Sequence, residues 1–512
     1  MQILSYVPAG YTGHLVAVEV DIRLGIPGTD IVGLAGSAVR EARERVRVAV
    51  RRSGFHYPRD RVVVNLSPAG VPKSGTGLDL AIAVAILCAA GEIHSIDQRP
   101  MLVVGELGLS GAVRPVPGVL AAVSEASERG IERFLVPAAN RAEAEVVGRG
   151  RVLAAGCIEE AVGSIRSGRS PATGARVGKP RRRKPIAASD VGDFRHVRGS
   201  RQVVRAMEIA AAGRHHLFLV GPPGSGKTLS ARTYASILPP LTPSEAAEVT
   251  RVHSLAGALL PGHGLVTTPP FRSPHHSASP EGMAGGGMTP RPGELSMAHH
   301  GVLFLDEALQ FKVPVLQSLR QPMESARVVI ARAGGNYWFP ADFQLIMATN
   351  PCPCGNLGRS DRYCLCGQLE IARYWRRLGA PILDRIDLRV AVSPFAGSLS
   401  DEPDGESSEM IRDRVCAAVD RQRHRYRGQP FDRNSRVTGP TISALGRLAA
   451  ETLGVLERAT QALRFSNRAQ YAVLRVARTI ADLENAESVT HHHLLEAVQH
   501  RRLGEGSDYP WQ

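Results

Sequence analysis

The stretch HLFLVGPPGSGKTLS, residues 216–230, decides how the middle of this 512-residue chain is read. HLFLV (216–220) is an apolar run of strand length, and GPPGSGKT (221–228) follows it at once. A Gly-rich loop between a buried strand and the start of a helix lets backbone N–H groups wrap around phosphates. Gly221, Gly224 and Gly226 give the loop its freedom, and Pro222, Pro223 and Ser225 complete it. Lys227 is placed to reach the β- and γ-phosphates of ATP, and the Thr228 hydroxyl to ligate Mg²⁺. The lysine is informative, because the chain has only five lysines among its 62 basic residues. Where arginine serves almost everywhere else, a lysine at the phosphate position points to a need for a compact ammonium.

Further along the chain, GVLFLDE (301–307) joins four apolar residues to two carboxylates. At the end of a buried strand, Asp306 is placed to hold Mg²⁺ and Glu307 to polarise an attacking water. FQLIMATN (343–350) is another buried strand with a polar tip, where Asn350 could orient the same water. Alone, Asn350 reads as a strand-end turn residue; the order of the three segments favours the catalytic role. With DLRVAV (387–392), these runs predict a parallel sheet covered on both faces.

RPGELSMAHHGVLFLDE, SLRQPMES, FPADFQLIMATNPCPCG and PILDRIDLRV together resemble the AAA+ ATPases of the magnesium-chelatase-like, ComM/YifB type. The resemblance covers nearly the whole chain. It implies an α/β architecture of three parts: a ribosomal-S5/Lon-protease-like N-terminal domain, a P-loop AAA+ sandwich and a helical C-terminal lid. It also implies a hexameric ring with ATP at subunit interfaces. By the same resemblance, Arg385 in PILDRID is similar to the arginine finger acting on a neighbour's ATP, and Arg468 in SNRAQYAVLRVARTIADLE resembles the lid arginine. A planar guanidinium suits both roles, since it bridges phosphate oxygens as charge shifts. An ordinary ion pair of Arg385 with Asp384 or Asp387 is the bland alternative. Two departures from the family pattern stand out. Ala308-Leu309-Gln310-Phe311 follows the acidic pair, and Gly199-Ser200 stands where the family has Gly-Gln.

The predicted organisation is 1–166 Lon-like, 167–195 a basic flexible linker, 196–395 the AAA+ module and 396–512 the helical lid. Residues 1–165 alternate strands and helices and carry 17 basic and 17 acidic residues. Residues 166–195 carry nine basic and two acidic ones, half of the chain's net charge of +14. This Pro-, Gly- and Ser-rich stretch, with Arg-Arg-Arg-Lys at 181–184, reads either as a solvated tether or as a phosphate-binding arm. An acidic linker at 396–407 precedes helices predicted at 409–426, 442–450, 453–465, 467–483 and 490–501.

PKSGTGLDLAIAVAIL (72–87) resembles the Lon nucleophile region, but Gly77 stands at the nucleophile's place and Leu120 at that of the general-base lysine. A Ser–Lys dyad needs an Oγ and an amine, so peptidase activity is not expected. Lys73 and Ser74 are neighbours on a strand and point apart. Segments 270–279 and 285–296, rich in Gly, Pro, His and Arg, read as loops facing substrate in the ring's pore. His275 and His276 lack a third ligand at suitable spacing. Cys352, Cys354, Cys364 and Cys366 read C-x-C-x9-C-x-C, a candidate tetrahedral zinc site next to Asn350. Cys88, Cys157 and Cys416 read as small apolar residues.

No apolar run reaches the roughly 18 residues needed to span a bilayer. The start MQILSYVPAG lacks a signal sequence, which points to the cytoplasm. The expected function is an ATP-driven motor on branched or single-stranded DNA, without sequence preference, similar to branch-migration helicases of recombination and natural transformation. The rivals are a chelatase-like motor remodelling a partner protein, an ATP-dependent protease and a non-catalytic DNA-binding regulator.

Overall fold

The computed structural model describes residues 1–94, 97–170, 192–197, 200–260, 262–332, 335–359, 361–393, 405–445 and 450–503. The basic run 181–184, most of the acidic linker and Gly199 lie outside the described residues.

The N-terminal part is built on a seven-stranded mixed sheet. Its long strand Thr12–Arg23 pairs antiparallel with Ile3–Ala9 on one side and Arg61–Ser67 on the other. Gly28–Val32 closes one edge. Met101–Val103, Arg133–Pro137 and Arg151–Ala155 extend the other edge as parallel neighbours. Helix Ser37–Arg52 buries Val39, Ala42, Val46 and Ala49, spaced by three or four residues, and leaves its Arg and Glu side outward. Helix Asp79–Ala89 has no polar face, and nine of its residues are buried.

The second sheet is the parallel one predicted. Its order is Phe271–Arg272, Val302–Leu305, Gln344–Thr349, Leu217–Val220 and Leu388–Ala391. Every residue of the three central strands is buried. Nonpolar runs without alternation are what a sheet covered on both faces requires.

The C-terminal segment is helical, with α-helices Ser408–Arg425, Ala450–Leu463, Asn467–Leu483 and His491–Arg501. Of the helix predicted at 442–450, residues 442–445 belong instead to a 3-10 segment, Gly439–Leu445, and 446–449 lie outside the described residues. The β-branched Thr441 and Ile442 lower the α-helical propensity there. The predicted linker also runs too far. Phe194 is buried with the core of the parallel sheet, and Asp193 Oδ1 accepts from the Ser408 N–H at 2.8 Å. Residues 192–197 are therefore packed against the AAA+ core and the first C-terminal helix.

The two sheets are joined by packing. Helix Val119–Glu128 lies against helix Pro243–Leu255, which opens with a Thr242/Glu245 capping box. At this seam the buried Glu143 carboxylate accepts from the Leu120 N–H at 2.8 Å and from the Ser254 hydroxyl. Asn140 donates to its other oxygen at 2.9 Å. Burial pushes the Glu143 pKa up, while these donors oppose the shift. The antiparallel hairpin Arg327–Arg332/Gly335–Pro340, absent from the sequence reading, reaches the N-terminal sheet, where Trp338 stacks near Tyr11 with ring centroids 5.1 Å apart. No helix among the described residues is long and apolar enough to cross a membrane.

Candidate active site

The phosphate loop leaves the buried strand Leu217–Val220 and enters helix Lys227–Thr233. Gly224 and Gly226 have φ of 78° and 82°, a region that favours glycine. Gly221 is required for another reason: a Cβ there would lie 2.2 Å from the Val392 carbonyl oxygen. The first turn of the helix carries no acidic residue, so its free N–H groups and positive dipole end face the loop uncompensated.

Lys227 is buried and donates to the carbonyls of Gly221 and Pro222, both at 2.7 Å, with Asn350 Oδ1 at 3.4 Å. Burial holds its pKa down at about 8, partly offset by the charges of Asp306 and Glu307. The Thr228 hydroxyl donates to Asp306 Oδ2 at 2.8 Å. Asp306 Oδ1 accepts from the Glu307 N–H at 3.0 Å. Glu307 has φ of 48°, a strained value for a non-glycine residue, and its side chain is more than half exposed. Lys227, Thr228, Asp306, Glu307 and Asn350 thus meet at the ends of three neighbouring strands. A hydroxyl and a carboxylate converging beside a phosphate loop fit Mg²⁺ carried by a nucleotide.

Behind this group, two aromatic residues fix the strand end that carries Asn350. Tyr374 OH lies 2.9 Å from Thr349 Oγ1, and Trp375 Nε1 donates to the Pro351 carbonyl at 3.0 Å. Sequence reading missed both, since only the fold brings helix Gln368–Arg376 to this strand.

Arg385 and Arg468 are not part of the cluster. Both donate to one carboxylate, Glu324: Arg385 through Nη2, and Arg468 through Nη2 at 3.0 Å. Their hydrogen bonds hold the Glu324 pKa below the usual carboxylate range, Arg468 contributing most. Neither guanidinium bonds to the phosphate loop. Arg385 has no ion pair with Asp384 or Asp387, the partners weighed from sequence. Glu324 was missed because it lies 61 residues from Arg385 and 144 from Arg468.

The four cysteines come together. Cys352 Sγ lies 3.4 Å from Cys354 and 3.6 Å from Cys364, and Cys354 lies 3.7 Å from Cys364. All four sulfurs, Cys366 included, lie within 4.8 Å of one another. The Leu357 N–H points at Cys352 Sγ at 3.4 Å. Burial raises Cys354 toward the thiol, but hydrogen bonds from the Asn356 N–H and the neighbouring sulfurs prevail and bring it down to about 6.

Segment 270–279 is not simply a pore loop. Phe271–Arg272 is the edge strand of the parallel sheet, and Arg272 forms a fork to Glu294 with both bonds at 2.7 Å. His276 Nδ1 stands 4.0 Å from Glu307 Oε2, so the segment runs past the Glu307 carboxylate. Segment 285–296 is likewise partly ordered, with a two-residue hairpin, Gly285–Gly286 against Arg291–Pro292, and the short helix Glu294–Met297.

A second polar cluster lies elsewhere in the module, where His299 and His300 each place Nε2 3.0 Å from Glu248 Oε2. The Asp342 N–H donates to His299 Nδ1 at 3.1 Å. His299 Nε2 therefore carries the proton and donates to Glu248, which leaves it no lone pair for a metal.

In the N-terminal part, Lys73 is fully buried and its Nζ donates to the Pro68 carbonyl. Ser74 faces the other way, with its Oγ 3.3 Å from Thr289 Oγ1. Leu120 is buried. No serine–lysine pair forms there.

Three family profiles match the chain. They are described as "Magnesium chelatase, subunit ChlI" over residues 193–398, "Subunit ChlI of Mg-chelatase" over 18–140 and "Magnesium chelatase, subunit ChlI C-terminal" over 405–501. YifB of Salmonella typhimurium is 39% identical over 502 residues, covering 96% of this chain and 95% of YifB. Competence protein ComM of Haemophilus influenzae is 36% identical over 504 residues, covering 98% of this chain and 97% of ComM. DNA repair protein RadA of Escherichia coli is 37% identical over 94 residues, 18% of this chain and 19% of RadA.

Proposed function

This chain belongs to the magnesium-chelatase ChlI family of AAA+ ATPases, and from that premise we propose that it is a ring-forming motor that hydrolyses ATP to migrate branched DNA. The observation that supports the ring is that Arg385 and Arg468 are both paired on Glu324 and neither bonds to the phosphate cradle of its own subunit. Both arginines would then serve the ATP of a neighbouring subunit, in a hexamer.

In this reading Lys227 leaves its loop carbonyls for the β- and γ-phosphates, and Thr228 and Asp306 would hold a Mg²⁺ that would supply positive charge to the phosphate oxygens. Glu307 takes the proton of the attacking water, which Asn350 helps to orient. Arg385 and Arg468 meet the charge that develops on the transferred phosphoryl group. Residues 1–166, a Lon-like unit without a dyad, serve assembly or binding. Residues 166–195 supply nine basic residues per subunit, and a site in the cytoplasm gives access to DNA.

The cysteine cluster holds one structural Zn²⁺. Zinc–thiolate bonds of about 2.3 Å place tetrahedral sulfurs roughly 3.8 Å apart, whereas a disulfide needs about 2.05 Å. The observed 3.4–3.7 Å fits the first.

DNA is supported by the length of the match to a competence protein, by the shorter match to a DNA repair protein and by the net charge of +14. The test is ATP turnover with and without single-stranded, duplex and four-way-junction DNA, scored for junction migration at low salt. Stimulation by DNA with migration is expected; neither, from an assembled and ATP-competent preparation, refutes the DNA reading. Arg385→Ala subunits, inactive alone, should regain turnover when mixed with inactive Lys227→Ala subunits.

A chelatase-like motor that remodels a partner subunit is the second reading, favoured by the family descriptions. The profile over residues 18–140 bears a chelatase-subunit description, so the N-terminal domain does not separate the two readings.

A further inference from the structure

We propose that the cysteine knuckle is a wall of the ATP site, and that Gly355 is the positioning residue through which it braces the phosphate loop. Gly355 directly follows the first pair of cysteines and is buried against Pro223. A Cβ on Gly355 would lie 2.7 Å from Pro223 Cδ, 2.8 Å from Pro223 Cγ and 3.9 Å from Asn350 Cγ. Its φ of 78° is a second reason for glycine. The knuckle backbone and the proline ring are therefore in direct contact at the mouth of the loop, beside the Asn350 that reaches Lys227.

The two surfaces are separately stiff. Pro223 has a fixed φ. The knuckle is closed by four converging sulfurs, by the Leu357 N–H on Cys352 and by the Trp375 indole on Pro351. A phosphate loop works by presenting its N–H groups already aimed, so a rigid wall behind one of its residues lowers the ordering that nucleotide binding requires. A loop of fifteen residues with four thiolates has no apolar core of its own, so its rigidity depends on the ion at its centre. The state of the thiols then sets nucleotide affinity. This last step rests on the zinc reading above; the brace itself rests on the contact alone.

The experiment has two arms on the full-length protein, read by metal content and by affinity for a fluorescent ATP analogue. In the first, Gly355→Ala is compared with Pro223→Ala and the double variant. Gly355→Ala should weaken nucleotide binding about tenfold while metal content stays near wild type. Removing the proline ring should abolish most of that loss, so the two effects should not add. A Gly355→Ala protein that binds the analogue like wild type, or additive effects, would overturn the brace. In the second arm, wild type is stripped with a chelator and reloaded with Zn²⁺. Affinity should fall on stripping and return on reloading. Unchanged affinity in a stripped protein overturns the control by metal. Protein purified without chelator and free of metal overturns the zinc reading and the control together, while the first arm still decides the brace.

Discussion

The chain contains two Gly-rich loops, each feeding a helix and each carrying a lysine, and only one is built for an anion. In GPPGSGKT, Lys227 turns into the loop and the following helix has no acidic residue in its first turn. In PKSGTGLD (72–79), Lys73 turns away into the core, and Asp79 occupies the first turn of the next helix. Asp79 takes a two-bond fork from Arg45 and accepts from the Leu107 N–H. Its charge offsets the dipole end that would otherwise attract a phosphate. The Thr76 hydroxyl is spent on Glu106. What remains is a cavity of about 260 Å³ roofed by Thr289–Pro290–Arg291, into which Lys73 does not reach and where Ser74 Oγ faces Thr289 Oγ1. Glycines give a loop its shape; the direction of the lysine and the charge on the next helical turn decide what it binds.

The strongest attack on this contrast exchanges the lysines' roles. Lys227→Ala should weaken ATP binding by about 1.5–3 kcal/mol, roughly 10- to 150-fold, as a charged hydrogen-bond donor is lost, and should end turnover. Lys73→Ala should leave ATP affinity and turnover alone and lower the melting temperature. Equal effects of the two on nucleotide binding would erase the distinction.

The next test separates binding from chemistry within the working loop's neighbourhood. Glu307→Gln should bind ATP with near wild-type affinity while kcat falls by about 10²–10⁴, the range of a lost general base. Wild-type turnover in this variant would remove Glu307 from the mechanism.

A pH series sharpens the comparison further. With its pKa held at about 8 by burial, Lys227 carries its charge below pH 8 and loses it as pH rises through that value. ATP affinity should therefore be flat below pH 8 and fall above it, by up to about tenfold per pH unit. Calorimetry should detect proton uptake on binding at pH 9, when the phosphates restore the ammonium. A flat profile to pH 9.5 would place the lysine outside the contact.

The smallest expected effect is none at all. Casein and ATP should leave no cleavage products with wild type or with Ser74→Ala. Cleavage that Ser74→Ala abolishes would show that the N-terminal loop is a working site after all.

Much of this contrast was legible before any coordinates. The buried strands at 217–220, 302–305 and 344–349 announced themselves as continuous apolar runs, and the loop and acidic pair follow them in order. LVAVEVDIR (15–23), most of the strand Thr12–Arg23, was legible as alternation. What stayed hidden depends on pairing across sequence. The hairpin at 327–340 mixes exposed Arg, Asn and Trp with buried Val and Phe, so its period is clear only against its partner strand. Arg272 looked like a free loop cation because Glu294 lies 22 residues away. Nothing in the sequence pairs Gly355 with Pro223, far away in the chain, and only the fold brings them together.

If the proposed ring is right, the pairing of Arg385 and Arg468 on Glu324 gives the lone subunit a decoy for the phosphate of its neighbour. On the ring reading, closing an interface is an exchange of anions, with a tethered carboxylate yielding to a diffusing nucleotide. A subunit in a cell short of ATP keeps its arginines satisfied and has less reason to find a partner. The supply of fuel would then govern whether the engine is put together, as well as how fast it runs.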